Sequence, residues 1–149
     1  MTTLAQTYQK KTDKQHVLDN PDTYIGSIEN VETTDFNLQT DPLKMKQETF
    51  HLIPGLYKLF DEGVVNCRDH VIRMSQKKDK DVNQVSYISI EINDNTITLT
   101  NDGDGIDVAQ HPEHNIWIPE MIFGHLRTST NYDKKEKKIV GGKNGFGFK

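Results

Sequence analysis

The sequence predicts an α+β fold, with helices packed on one face of a mixed sheet that is incomplete. Three stretches carry that expectation. From Pro54 onward, apolar residues recur at three- and four-residue steps as far as Met74, the period of one long helix with one buried stripe. "VSYISIEINDNTITLTN" alternates apolar and polar residues on either side of Asn93-Asp94-Asn95, the pattern of a β-hairpin. "IPEMIFGHL" reads as a shorter helix, with Pro119 near its start and Gly124 weakening its end. One hairpin, with room for one more strand, is too little for a complete α/β sandwich, and a strand edge would be left unpaired.

Composition narrows the class. A chain of 149 residues has room for one domain. With 34% hydrophobic residues, a modest core surrounded by long polar loops is expected. The net charge of -4 gives no support for broad, non-specific DNA binding through this segment alone. Cys67 is the single cysteine, which rules out an intramolecular disulfide framework and a cysteine-only metal site. An intracellular protein is the simplest reading. "MTTLAQTYQKK" contains no apolar core of a signal peptide, and no apolar run approaches the ~18 residues that span a bilayer.

The remaining elements follow in order. The first 20 residues are polar, with "KKTDK" near the start, and read as an arm or a short helix. In "DNPDTYIGS", Pro21 and Gly26 bracket Tyr24 and Ile25, a turn leading into an extended piece. Residues 29–50 are mostly polar and yield no assignment. The buried stripe of the long helix is expected to hold Leu56, Leu59, Phe60, Gly63, Val64, Cys67, Val71 and Met74. "QKKDKD" reads as a solvated exit loop. From Thr128 the chain is polar, charged and glycine-rich, and a mobile loop is expected.

Four short stretches could carry chemistry. Glu62, Asn66, Asp69 and Arg73 form a second stripe on the long helix, about a third of a turn from the buried one. On spacing alone a solvated face is the simpler reading. The chemical reading is that Glu62 takes a proton from an attacking water. Asn66, one turn on, would offer an amide oxygen to Mg²⁺, which prefers oxygen ligands and shares phosphate oxygens. "NDGDGI" follows a strand; Gly103 and Gly105 would let a flat ring approach the backbone, and Asn101 could bond a base edge. "TSTN" has four hydrogen-bonding side chains in a row, and alone is an ordinary loop or cap. "GGKNGFGFK" is neither a Walker A run nor a dinucleotide fingerprint, although its backbone N–H groups could cradle phosphates.

In order, however, these stretches are specific. A helix with E-x-x-x-N, a strand leading to a D/N-x-G-x-G turn, and a distal glycine-rich lid resemble the Bergerat-fold (GHKL) ATPases. That group includes DNA gyrase, the MutL repair proteins, the heat-shock chaperone and sensor histidine kinases. Within that group the chain closely resembles the N-terminal ATPase region of eukaryotic-type type IIA DNA topoisomerase II. "YQKKTDKQHVLDNPDTYIGSIE", "PGLYKLFDEGVVNCRD", "NDGDGI", "IPEMIFGHLRTSTNYD" and "KKIVGGKNGFGFK" carry the resemblance. Residues 29–48 and 74–95 match only loosely.

The resemblance implies ATP and Mg²⁺ as cofactors, and it implies roles. Glu62 would be the general base; Asn66 would hold Mg²⁺ and touch the phosphates; Asn101 and Gly105 would lie at the adenine. Ser129, Thr130 and Asn131 would contact ribose and phosphate. Gly142, Lys143, Asn144, Gly145, Phe146, Gly147, Phe148 and Lys149 would form the lid, with Lys149 near the terminal phosphate. Tyr8 would lie in an arm that crosses to the partner subunit and touches its nucleotide.

The implied organisation is an arm over residues 1–28 and a partial ATPase domain over 29–149, its lid from about 125, with the transducer and DNA-gate domains absent. The implied function is the ATP-hydrolysing segment of a homodimeric enzyme that clamps on nucleotide and passes one DNA duplex through another. It would act in a nucleus or a viral replication site, without membrane. Alone, the segment is expected to turn over ATP poorly or not at all. A stand-alone ATPase of another Bergerat class and a non-enzymatic interaction piece are the competing readings. Two departures stand out. Gly63 replaces a branched apolar residue, at a cost of ~1 kcal/mol against Ala. Cys67-Arg68 replaces two small residues, and Arg68 is expected to face solvent or a partner.

Overall fold

The computed structural model describes Leu4, residues 8–78 and residues 81–128. They fall into two compact units, one within Met1–Lys58 and one within Leu59–Lys149, the division lying inside the long helix.

The first unit begins with helix α1, Asp13–Asp19. Thr12 caps it: the Gln15 N–H donates to Thr12 Oγ1 at 3.2 Å, satisfying one of the orphan donors of the first turn. The short helix α2, Asp22–Ile25, follows and stops at Gly26, whose φ of 86° is left-handed. His16 on α1 holds Tyr24 on α2, with Nδ1 2.8 Å from the phenolic oxygen and the rings edge to face.

Residues without a sequence assignment then form the longest strand pair. Strands β1, Val31–Thr40, and β2, Leu43–Leu52, pair antiparallel around Asp41-Pro42, whose peptide bond is cis. The register puts Leu38 opposite Met45 and Thr40 opposite Leu43. Phe36, Leu38, Leu43 and Met45 therefore share one face near the turn. Near the turn the other face is polar: Asn37 Nδ2, Gln39 Nε2 and Lys46 Nζ all reach the Glu48 carboxylate, at 2.8, 3.3 and 3.3 Å.

Helix α3, Pro54–Gln76, starts on Pro54 as the sequence predicts. The Gly55 N–H donates to Ser27 O at 2.8 Å, and a Cβ on Gly55 would meet Ile25 Cδ1 at 3.0 Å. In the second unit α3 buries Gly63, Cys67 and Met74 and half-buries Leu59, Phe60, Val64 and Val71. Leu56 departs from the expected stripe and is 55% exposed, because it lies in the first turn, ahead of the stretch where burial is concentrated.

Strands β3, Ile88–Asn93, and β4, Thr96–Asn101, form the expected hairpin, with Asp94-Asn95 as its two-residue turn. Helix α4, Ile118–Gly124, is the predicted short helix. Among the described residues the strands form two separate antiparallel pairs, with no parallel pairing between them. The mixed sheet of the sequence reading is thus represented by two small hairpin sheets, each with unpaired edges among the described residues. No helix among the described residues is long and apolar enough to cross a membrane.

Candidate nucleotide site

The candidate site is built from the part of α3 that follows Lys58 and the turn that follows β4, both in the second unit. Glu62 and Asn66 lie four residues apart on α3, so their side chains sit one above the other on a single face. Glu62 is half-buried and Asn66 exposed. Asp69, next in the stripe, is only 4% exposed. The stripe is therefore not a solvated face; it runs from open at Asn66 to closed at Asp69. Arg68 is exposed, as expected.

Asn101 ends β4 with a half-buried side chain. Its Oδ1 accepts from the Gly103 N–H at 3.2 Å, closing an Asx turn. Its Nδ2 points to Cys67 Sγ on α3 at 4.0 Å. That contact joins the β4 turn to the helix carrying Glu62 and Asn66. It also gives Cys67 a place in the site that sequence reading did not foresee.

The two glycines of the turn differ. A Cβ on Gly103 would lie 2.6 Å from Val85 Cγ2 and 2.8 Å from His70 Nε2. Close packing against α3 and the segment before β3 thus accounts for glycine there, rather than room for a flat ring. A Cβ on Gly105 would meet nothing within 4 Å, so this is the open side of the turn. His70 Nε2 is buried and, among the described residues, makes no hydrogen bond.

The acidic residues of the turn, which carried no role in the sequence reading, tie it down. Asp102 Oδ1 accepts from the Ser86 N–H at 2.8 Å and the Tyr87 N–H at 3.2 Å, and Asp102 Oδ2 accepts from the Ser86 hydroxyl. The Ser86 hydroxyl is the largest influence holding the Asp102 carboxyl below its ordinary value, with the backbone N–H groups acting in the same direction. Asp104 accepts from the Asn83 N–H at 3.2 Å and faces Lys77 Nζ at 3.9 Å. Alternation in Asn101-Asp102-Gly103-Asp104 is the signal that could have separated anchoring residues from the rest.

Other expected site residues lie elsewhere. Tyr8 is exposed in the first unit, where its N–H donates to Leu4 O at 2.9 Å. Thr128, at the head of "TSTN", donates to Met121 O at 2.8 Å and His125 O at 3.0 Å, closing the end of α4. Ser129, Thr130, Asn131 and Gly142 through Lys149 lie outside the described residues.

Chemically, α3 presents a carboxylate and a carboxamide oxygen side by side, and the β4 turn presents a second carboxamide next to an open glycine. This donor set fits a nucleotide with a hard divalent cation. No group of three or more His, Cys, Asp or Glu side chains that could hold a metal ion occurs among the described residues.

No family model matches the chain. DNA topoisomerase 2 of Acanthamoeba polyphaga mimivirus is 47% identical over 98% of the chain, and that of Candida albicans is 44% identical over 99%. The chain spans only 11% and 10% of the length of these two relatives. Among solved structures, the ATPase region of Saccharomyces cerevisiae topoisomerase II bound to dexrazoxane superposes with a TM-score of 0.82 at 41% identity. It covers 97% of this chain and 36% of its own. The ATPase and transducer domains of the enzyme from Balamuthia mandrillaris match with a TM-score of 0.78 at 41% identity, over 99% of this chain and 36% of theirs.

The fold is that of the Bergerat (GHKL) ATPases, present here as a part of the sandwich. Within that class the chain belongs to the family of type II DNA topoisomerases, at the position of their ATPase region.

Proposed function

We propose that the chain binds and hydrolyses ATP as the N-terminal segment of a type II DNA topoisomerase, driving passage of one duplex through another. The observation that carries this reading is the join of Asn101 to Cys67, one residue after Asn66 and five after Glu62 on the same helix. It brings the Asn101 amide to the helix that carries Glu62 and Asn66.

In this proposal Asn101 holds the adenine edge and Gly105 leaves the ring its space. Asn66 supplies the oxygen for Mg²⁺. The bound cation would neutralise charge on the triphosphate. Glu62 orients a water and accepts its proton, general-base work worth ~10²–10⁴-fold in rate. Ser129, Thr130 and Asn131 hold ribose and phosphate, and Gly142 to Lys149 close over them. Residues 1–28 serve as the arm, with Tyr8 reaching the nucleotide of a second subunit in a homodimer. Residues 29–149 are the partial ATPase domain, with its lid from about 125. DNA is bound mainly through other parts of the enzyme, in a nucleus or a viral replication site.

The test is relaxation of supercoiled DNA by the complete enzyme. It is expected to require both ATP and Mg²⁺; relaxation at full rate without ATP contradicts the reading.

A further inference from the structure

We propose that Asp102 is a positioning residue for the nucleotide site: through Ser86 and Tyr87 it fixes the turn that orients the Asn101 amide, and so sets the preference for adenine over guanine. This rests on the reading of Asn101 as the base contact.

The argument follows one chain of hydrogen bonds. Three donors from Ser86 and Tyr87, 16 and 15 residues earlier in sequence, converge on the Asp102 carboxylate. Charge-assisted bonds of this kind are about twice as strong as neutral ones. The next residue, Gly103, packs so closely against Val85 and His70 that a Cβ there would meet them at 2.6 and 2.8 Å. Its N–H in turn donates to Asn101 Oδ1 at 3.2 Å. The place of the Gly103 amide therefore decides which end of the Asn101 carboxamide is oxygen. Cys67 Sγ receives the other end, Nδ2, at 4.0 Å.

That choice matters because a carboxamide carries an acceptor at one end and donors at the other. Adenine offers an amino donor where guanine offers a carbonyl acceptor. A fixed amide favours one base, whereas an amide free to turn over serves both. Releasing Asp102 would therefore lower ATP affinity and, more tellingly, flatten the preference for ATP over GTP. A merely structural loss would weaken both nucleotides alike and leave their ratio unchanged.

The experiment is titration of ATP and of GTP into the wild-type chain and three variants, with folding followed by circular dichroism. Asp102→Ala is expected to lose about tenfold in ATP affinity, the scale of one base-reading hydrogen bond, with the ATP:GTP ratio falling toward one. Asp102→Asn keeps a carbonyl for the two N–H donors and an amide donor for the Ser86 hydroxyl. It is expected to stay within about threefold of wild type in both measures. Ser86→Ala, which keeps the backbone donors, should fall between the two. An unchanged ratio in a folded Asp102→Ala chain overturns the proposal. Should that variant not fold, an unchanged ratio in Ser86→Ala overturns it instead. Failure of the wild-type chain to bind ATP at all overturns the nucleotide reading first, and this proposal with it.

Discussion

Glu62 and Asn66 differ in exposure although they share a helix face, and their proposed roles differ in the same sense: a half-buried base beside an open ligand. In the complete enzyme, Glu62→Gln should leave ATP binding intact and reduce turnover by ~10²–10⁴-fold, as measured by phosphate release. Normal hydrolysis by that variant would remove Glu62 from the mechanism. The glycines give a contrast that needs no catalysis. Gly103→Ala forces a Cβ to 2.6 Å from Val85 Cγ2, overpacking that costs ~1–3 kcal/mol in urea unfolding of the chain. Gly105→Ala meets nothing within 4 Å and should change stability by less than ~0.5 kcal/mol while weakening ATP binding. Sequence alone located Asn101 and both glycines but could not tell these two apart. Their difference is set by His70 and Val85, which approach from distant parts of the chain.

At the scale of elements, the period of α3 and the alternation of β3 and β4 were legible because each buries one regular stripe or face. The β1–β2 hairpin was not, because most of its residues are polar on both faces. Phe36 and Leu38 before Asp41-Pro42, with Leu43 and Met45 after it, are the short alternation that marks it. Near the turn, the ring of donors on Glu48 ties the two strands together. The Asn37 amide is the largest influence holding the Glu48 carboxyl below its ordinary value of 4.5. Because the folded value is depressed, the stabilisation is complete above 4.5 and is lost as pH falls through the folded value. On acidification from about pH 6 to about pH 3, amide exchange at residues 44–48 should therefore slow by less than the fall in intrinsic base-catalysed exchange, a drop in protection, and Glu48→Gln should abolish that pH-dependent drop. Helix α1 depends on its cap in the same local way. Thr12→Ala should cost ~0.5–2 kcal/mol of helix stability, read as lost protection at Gln15.

For the whole molecule, family and architecture were legible from the order of motifs rather than from any one of them. E-x-x-x-N on a helix and N-D-G-x-G after a strand are each commonplace, and the fold brings the two stretches together through the contact of Asn101 with Cys67. Asp69 shows why the stripe alone was ambiguous: its burial comes from tertiary packing that helical periodicity does not reveal. The net charge of -4 gives no support for broad, non-specific DNA binding through this segment. The central claim is that α3 and the β4 turn together form an ATP site. Titration of Mg²⁺-ATP into the wild-type and Asn101→Ala chains tests it most directly. Saturable binding, weakened about tenfold or more in the variant, is the predicted result. Equal affinity in the two chains, or no binding by the wild type, would contradict it.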